Sequence, residues 1–314
     1  MNIDMIEAAA ARARGHVRRT PLLGSPFLDD LAGRRILVKA ECLQHTGSFK
    51  FRGAWSAISA LQGAAGVIAF SSGNHAQGVA LAARMHGLPS VIVMPSDAPA
   101  LKIANTRAFG AEVVLYDRRT ESREEIGERL AHDRDLTLIR PYDEPLVIAG
   151  QGTCGLEIAE QAAELGVTEA DVLVCCGGGG FTAGMALALE GSRLRVRPAE
   201  PEGFDDTARS LKAGTRLHNG DAQSICDAIV TPAPGEITFP ILQRLCGPGL
   251  VVSDEEALRA MALAFQRLKI VIEPGGAVAL AAALFRDIEA ETVIVTASGG
   301  NVDPAMFLRA LDTL

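Results

Sequence analysis

Hydrophobic and polar positions along the chain fall into blocks that read as strand, turn and helix, repeated many times. Short apolar runs stand at Arg35–Lys39, Gly66–Phe70, Ser90–Met94, Glu112–Leu115, Thr137–Ile139, Asp171–Cys176, Leu194–Ala199 and Thr292–Ala297. Between them lie stretches with helical spacing. These are the segment opened by Lys50 and running to about Leu61, then Ala76–Met85, Pro99–Phe109, the charged Glu121–His132, Gly152–Leu165, Phe181–Leu189, Glu255–Gln266 and Gly276–Leu284. An amphipathic helix is predicted over Ile3–Arg18, ending before Pro21. Strands separated by helices of this length predict an α/β fold with parallel sheets covered on both faces. The region Glu202–Gly249, punctuated by Gly and Pro, is predicted to be irregular, and so long a loop in a compact enzyme is usually functional. No clean linker separates the blocks, so the domains are expected to interleave.

Composition narrows the class. A chain of 314 residues corresponds to about two domains. Hydrophobic content of 48% and charged content of 22% are ordinary for a soluble globular enzyme. A net charge of −8 and a pI near 5.4 disfavour nucleic acid and anionic membrane as partners. No apolar run reaches the roughly 18 residues of a membrane span. Asp4 and Glu7, with no apolar core beside them, speak against a signal peptide. Cys42, Cys154, Cys175, Cys176, Cys226 and Cys246 form no C-x-x-C pair and have no His at zinc spacing. They read as buried small hydrophobes in a reducing compartment.

The candidate chemistry starts at Thr46-Gly47-Ser48-Phe49-Lys50-Phe51-Arg52-Gly53-Ala54. A lysine between two phenylalanines is desolvated, which lowers its pKa and makes the amine a nucleophile able to form a Schiff base with an aldehyde. The competing reading is a lysine stem packed on aromatics with its head in water. Three strands end in turns rich in Gly, Ser and Asn, where ligands of open α/β sheets bind. Gly177–Gly180 reads as a phosphate cup at a helix N-terminus. Ser71–His75 suits a carboxylate, or else supplies helix caps through Ser72 or Asn74. Gly178-x-Gly180-x-x-Ala183 also fits a dinucleotide fingerprint, with Glu200 about 20 residues on. A nicotinamide-dependent oxidoreductase is therefore a rival, and a non-catalytic small-molecule binder a third reading.

Together these stretches, with Ile148-Ala149-Gly150-Gln151-Gly152-Thr153, Ile272-Glu273-Pro274 and Ser298-Gly299-Gly300-Asn301, resemble the threonine/serine dehydratase and serine racemase branch of fold-type-II pyridoxal phosphate enzymes. The resemblance runs over essentially the whole chain and includes the hydroxyaspartate dehydratase-like members. It implies a tryptophan synthase β-like fold with two parallel-type sheets. A large cofactor domain would span 1–56 and 145–314, with a small domain at 57–144. The implied cofactor is pyridoxal 5'-phosphate, carried by Lys50, packed by Phe49, and bonded by Asn74 at the phenolic oxygen. Gly177, Gly178, Gly179, Gly180 and Phe181 would hold the phosphate, Ser298 would meet the ring nitrogen, and Glu273 would line the cofactor. Ser71, Ser72, Gly73, Asn74, His75 and Arg123 would meet substrate, with Ser72 as a second base opposite Lys50. Mg²⁺ or Ca²⁺ is implied at Glu200, Asp206 and the Phe204 carbonyl, oxygen ligands that suit a hard cation; the competing reading is a pair of surface acids.

The implied reaction is dehydration and deamination of a β-hydroxy amino acid, namely threonine, serine or 3-hydroxyaspartate, to a 2-oxo acid and ammonia. Amino acid racemisation is the alternative. A cytoplasmic homodimer is implied as well. The chain departs from many relatives at Arg140, where they have His, at Cys226-Asp227-Ala228 and at Gly275-Gly276, all near the substrate. An arginine fork at Arg140 or Arg123 suits a second substrate carboxylate. The plainer reading of Arg140 is a surface pair with Asp143 or Glu144.

Overall fold

The computed structural model describes residues 1–314 except Ser72 and Pro99, and except the side chains of Leu101 and Glu124. Among the described residues, ten strands form two sheets: β1 (Leu22–Gly24), β2 (Arg35–Lys39), β3 (Gly66–Phe70), β4 (Ser90–Pro95), β5 (Glu112–Tyr116), β6 (Leu136–Leu138), β7 (Ala170–Cys175), β8 (Leu194–Pro201), β9 (Leu250–Val252) and β10 (Thr292–Thr296). The six-stranded sheet runs β1-β2-β10-β7-β8-β9, and the four-stranded sheet β5-β4-β3-β6. Every pairing is parallel except the edge pair β1–β2. The four strands of the smaller sheet all lie between residues 66 and 138. The larger sheet is assembled from both flanks of that segment, so the chain leaves it and returns.

Parallel strands buried on both faces need apolar side chains on both, and Ile36, Val38, Val172, Leu173, Val174 and Val293–Val295 supply them. One face of the large sheet packs on the helices Asp254–Leu268 and Pro274–Phe285. The other packs on Pro145–Glu164 and Gly180–Ala188. The smaller sheet rests on Lys50–Ser59 and Asn74–Met85 on one side and on Arg123–Arg134 on the other. Phe49 lies in a core of the large sheet and Phe51 in a core of the small one, so Lys50 stands at the seam between them. The Ile148–Thr153 stretch brings two helices together there: a Cβ at Gly150 would lie 2.4 Å from the Arg52 carbonyl oxygen, so only glycine lets them touch.

Several boundaries differ from the sequence reading. The first helix stops at Ala13, where Arg14 leaves the helical backbone, rather than at Arg18. The helix expected from Gly152 begins at Pro145, where Glu144 caps it through the Leu146 and Val147 N–H groups. The supposed loop 202–249 contains the helices Asp206–Ala213 and Thr238–Leu245. Tertiary packing holds these two short helices, whose glycine-rich flanks obscured their spacing. The cysteines are free, and Cys246 is only half-buried. Among the described residues, no helix is long and apolar enough to cross a membrane.

Candidate active site

The turns after β2, β3, β7 and β10 converge on Lys50. Phe49 N–H donates to the Ser298 carbonyl at 3.0 Å, Gly300 N–H to the Gly47 carbonyl at 2.9 Å, and Glu273 N–H to the Gly299 carbonyl at 2.9 Å. These bonds join the lysine loop to the β10 turn and to the start of the helix Pro274–Phe285. Lys50 Nζ donates to the Pro141 carbonyl at 2.8 Å and lies 5.1 Å from the Phe49 ring centroid. Phe49 also stacks on Phe181, with centroids 4.0 Å apart. Loss of water pulls the Lys50 pKa down to about 8, against the opposing charge of Glu273. Desolvation thus outweighs the partner, as the flanking aromatics predict.

Glu273 is buried, and burial pushes its carboxyl up to about 7, against the hydrogen bond from Asn74. Asn74 Nδ2 donates to Glu273 Oε1 at 2.5 Å. His75 is buried and held neutral, its pKa down to about 3 through desolvation and the nearby Lys50 charge. Its Nε2 meets the Ile139 carbonyl at 2.8 Å, so that nitrogen carries the proton, while buried Nδ1 has no partner. Ser71 Oγ accepts from Gly73 N–H at 3.2 Å. Ser298 is buried beside Cys175 and Gly276. Ser72, expected as the second base, lies outside the described residues.

Gly177–Gly180 closes β7 into the helix Gly180–Ala188, whose N-cap, Gly179, has φ +87 and no side chain to cap it. The first-turn N–H groups of that helix therefore have no partner within it. The Gly178 carbonyl is fastened by Gly235 N–H at 3.1 Å and by the Thr238 hydroxyl at 2.8 Å. Asp143 in turn accepts from Glu236, Ile237 and Thr238 N–H groups. A Cβ at Gly178 would fall 2.3 Å from the Tyr142 ring. Around this turn Gln151 Oε1 and Thr182 Oγ1 are buried without hydrogen-bond partners, as is Ser48 Oγ in the lysine loop. Bare helix N–H groups, glycines that tolerate no side chain and unpartnered polar atoms beside a nucleophilic lysine fit a phosphorylated aldehyde.

A family profile described as pyridoxal-phosphate dependent enzyme matches residues 13–299. The chain belongs to that family. It is 45% identical over 307 residues to an L-threo-3-hydroxyaspartate ammonia-lyase from a Pseudomonas species, covering 96% of this chain and 95% of that one. Among solved structures, a threonine deaminase from T.th. matches with a TM-score of 0.91 and 46% identity, over 96% of this chain and 99% of that one. Maize serine racemase matches with a TM-score of 0.91 and 36% identity, over 99% and 97%. The fold is the fold-type-II architecture of these enzymes.

The match to a pyridoxal-phosphate family runs against the dinucleotide reading in which Glu200 is the ribose acid. The residue is enclosed, and its two oxygens accept from Thr207 N–H at 3.0 Å and Ala208 N–H at 2.7 Å. Asp206 is also buried, so the pair is not the surface acids of the plainer reading; its Oδ1 takes Asn219 and its Oδ2 has no partner. Burial pushes Glu200 up to about 8, with repulsion from Asp206 added, and pushes Asp206 up to about 6. Phe204 is buried beside them. No group of three or more His, Cys, Asp or Glu side chains placed to hold a metal occurs among the described residues. Arg123 opens the helix Arg123–Arg134, is exposed, and its charge reaches Tyr142. Arg140 is exposed, and its charge acts on Glu144. Sequence reasoning gave no role to Tyr142, Gln151 or Thr182; Thr182 follows the glycine turn along the chain, whereas the fold brings Tyr142 and Gln151 to it.

Proposed function

We propose that the protein is a pyridoxal-phosphate-dependent ammonia-lyase that removes water and then ammonia from a β-hydroxy amino acid, with L-threo-3-hydroxyaspartate as the preferred substrate. The observation that carries the chemistry is Lys50: an amine with its pKa near 8, held at the Pro141 carbonyl among four converging turns. The 45% identity to the Pseudomonas enzyme supports the substrate choice. Arg123 and Arg140, at the rim near Tyr142 and Glu144, supply cations for a second carboxylate.

The bound cofactor supplies an aldehyde for covalent attachment and a conjugated ring that withdraws electrons from a breaking Cα–H bond. Lys50 would carry it and would serve as the base that takes the substrate's Cα proton. The N–H groups of the Gly177–Gly180 turn and of Phe181 would hold the phosphate, and Phe49 would pack beside the ring. Asn74 would donate to the phenolic oxygen, with Glu273 behind it. A neutral Ser298 hydroxyl at the ring nitrogen would not stabilise a protonated ring as a carboxylate would. That favours prompt loss of the β-hydroxyl. The substrate loses the Cα proton and hydroxide as water, and the released enamine hydrolyses to a 2-oxo acid and ammonia. Ser71, Gly73 and His75 face the substrate carboxylate.

We extend the proposal in three respects. Residues 57–144 form a small domain and 1–56 with 145–314 a large one, in keeping with the sheet membership of the strands. Mg²⁺ or Ca²⁺ binds at Glu200, Asp206 and the Phe204 carbonyl, supported by the partnerless buried Asp206 oxygen. The enzyme works as a cytoplasmic homodimer.

The test compares oxo acid formation from L-threo-3-hydroxyaspartate, L-serine and L-threonine, with and without EDTA. A specificity constant at least tenfold higher for hydroxyaspartate is expected, and equal constants would remove the substrate assignment. Lys50→Ala should abolish turnover, and borohydride should no longer fix the cofactor to the chain. Inverted serine carrying solvent deuterium at Cα, formed faster than oxo acid, would mark a racemase instead.

A further inference from the structure

Asn74 has two unlike ends, a carbonyl oxygen and an NH₂ group, and the site needs one particular end in front. Asn301 Nδ2 donates to Asn74 Oδ1 at 2.7 Å and to the Thr46 carbonyl at 2.7 Å. Both of its hydrogens are thereby used. The Asn74 carbonyl is committed to Asn301, so Asn74 Nδ2 faces the other way, toward Glu273 Oε1 at 2.5 Å. A flipped Asn74 would set two NH₂ groups against each other and, whenever Glu273 is ionised, two acceptor oxygens against each other. Both clashes leave polar atoms unpaired, at two half-buried amides and at the buried Glu273. The seat of Asn301 is equally specific. Gly47 has φ +73, and a Cβ there would lie 2.7 Å from Asn301 Oδ1. Gly300 N–H, one residue before Asn301, donates to the Gly47 carbonyl at 2.9 Å. One amide therefore ties the turn after β10, the lysine loop and the turn after β3.

We propose that Asn301 is a positioning residue that fixes the Asn74 amide with its donor toward the cofactor's phenolic oxygen. The inference rests on the proposed place of Asn74 at that oxygen. A donor there favours the ionised oxygen, so losing it makes the protonated form easier to reach. Asn301→Leu keeps roughly the side-chain size and removes the donor. It should raise the pH midpoint of the bound cofactor's visible absorbance by about one unit or more, the size expected for one hydrogen bond to a charged group. Asn74→Ala should raise it as well, and Asn74→Ala/Asn301→Leu should match Asn74→Ala alone. Gly47→Ala, whose Cβ presses on Asn301 while every amide stays in place, is the second variant and should move the midpoint in the same direction. Melting of each cofactor-free variant checks that the fold persists. If Asn74→Ala leaves the midpoint at the parent value, the place of Asn74 at the phenolic oxygen falls, and this inference with it. If Asn74→Ala moves the midpoint and neither Asn301→Leu nor Gly47→Ala does, the inference alone is overturned. An undiminished effect of Asn301→Leu in the Asn74→Ala background would also overturn it, because Asn301 would then act by another route.

Discussion

Replacing Arg52 by Met should reverse the sign of one contribution to the pH dependence of stability. Arg52 lies two residues after Lys50 on the same helix, and its guanidinium is fully buried. Nε and Nη2 bond the two Glu41 oxygens at 2.7 and 2.8 Å, Nη1 and Nη2 bond Glu157 at 2.7 and 2.8 Å, and the Thr153 hydroxyl and the Arg18 carbonyl complete the shell. Lys39, also buried, adds its own bond to Glu157 at 2.6 Å. The cluster thus balances two cations against two carboxylates. In the parent, Arg52 and Lys39 hold the Glu41 carboxyl below its ordinary range despite complete burial. Its folded pKa lies below the unfolded value, so its contribution is present above about pH 4.3 and fades as pH falls through the folded pKa. Without Arg52, burial dominates and the carboxyl moves above the unfolded value. Its contribution is then lost as pH rises above about 4.3. Removing one partner of a buried pair costs about 3–5 kcal/mol. Urea denaturation at intervals from pH 4.5 to 7.5 should therefore give a parent-minus-variant difference of that size at neutral pH. The difference should shrink toward acid by at most about 1.4 kcal/mol per pH unit for one proton. A difference below about 1 kcal/mol, or one that grows toward acid, would refute the reasoning.

Capture of pyridoxal phosphate by the cofactor-free protein needs the neutral Lys50 amine, so its rate should climb as pH rises through about 8, followed by the appearance of bound cofactor; a limb near the ordinary lysine value would contradict the desolvated seat. Gly178→Ala, whose Cβ would strike the Tyr142 ring at 2.3 Å, should weaken cofactor retention by at least tenfold in an equilibrium dialysis while the cofactor-free variant still unfolds cooperatively; parent-like retention would deny the turn its need for glycine. Lys102 Nζ meets Asp227 at 2.8 Å, joining the helix Ala100–Ala108 beside the small sheet to the 214–237 segment of the larger half. Asp227 is 62% exposed and Lys102 16%. Lys102→Met and Asp227→Asn should each raise KM a few-fold with little change in melting temperature, and the double variant should be no worse than either single one; additive effects would deny the pair a shared role.

Much of this protein was legible in its sequence, because the relevant physics is local. Apolar β-branched runs alternating with helical spacing predicted parallel sheets, and the family resemblance implied that there are two. Aromatic flanks predicted a lysine with a lowered pKa, and four glycines before a helix predicted a turn with bare N–H groups. Each depends on neighbours within one turn or one strand. The helices Asp206–Ala213 and Thr238–Leu245 were missed because packing from distant segments stabilises them, against weak local signals. The same limit applied to Arg52. Its charge inside an apolar helix was visible, but Glu41, Glu157 and Lys39 come to it from three other elements. Nor did the spacing of Asn74, Glu273 and Asn301 reveal that one amide orients another, since 199 and 227 residues separate the bonded partners. Chain chemistry determined which groups were available. The order of strands in the two sheets decided which of them met, because a hydrogen bond of about 3 Å requires a placement that only the folded chain supplies.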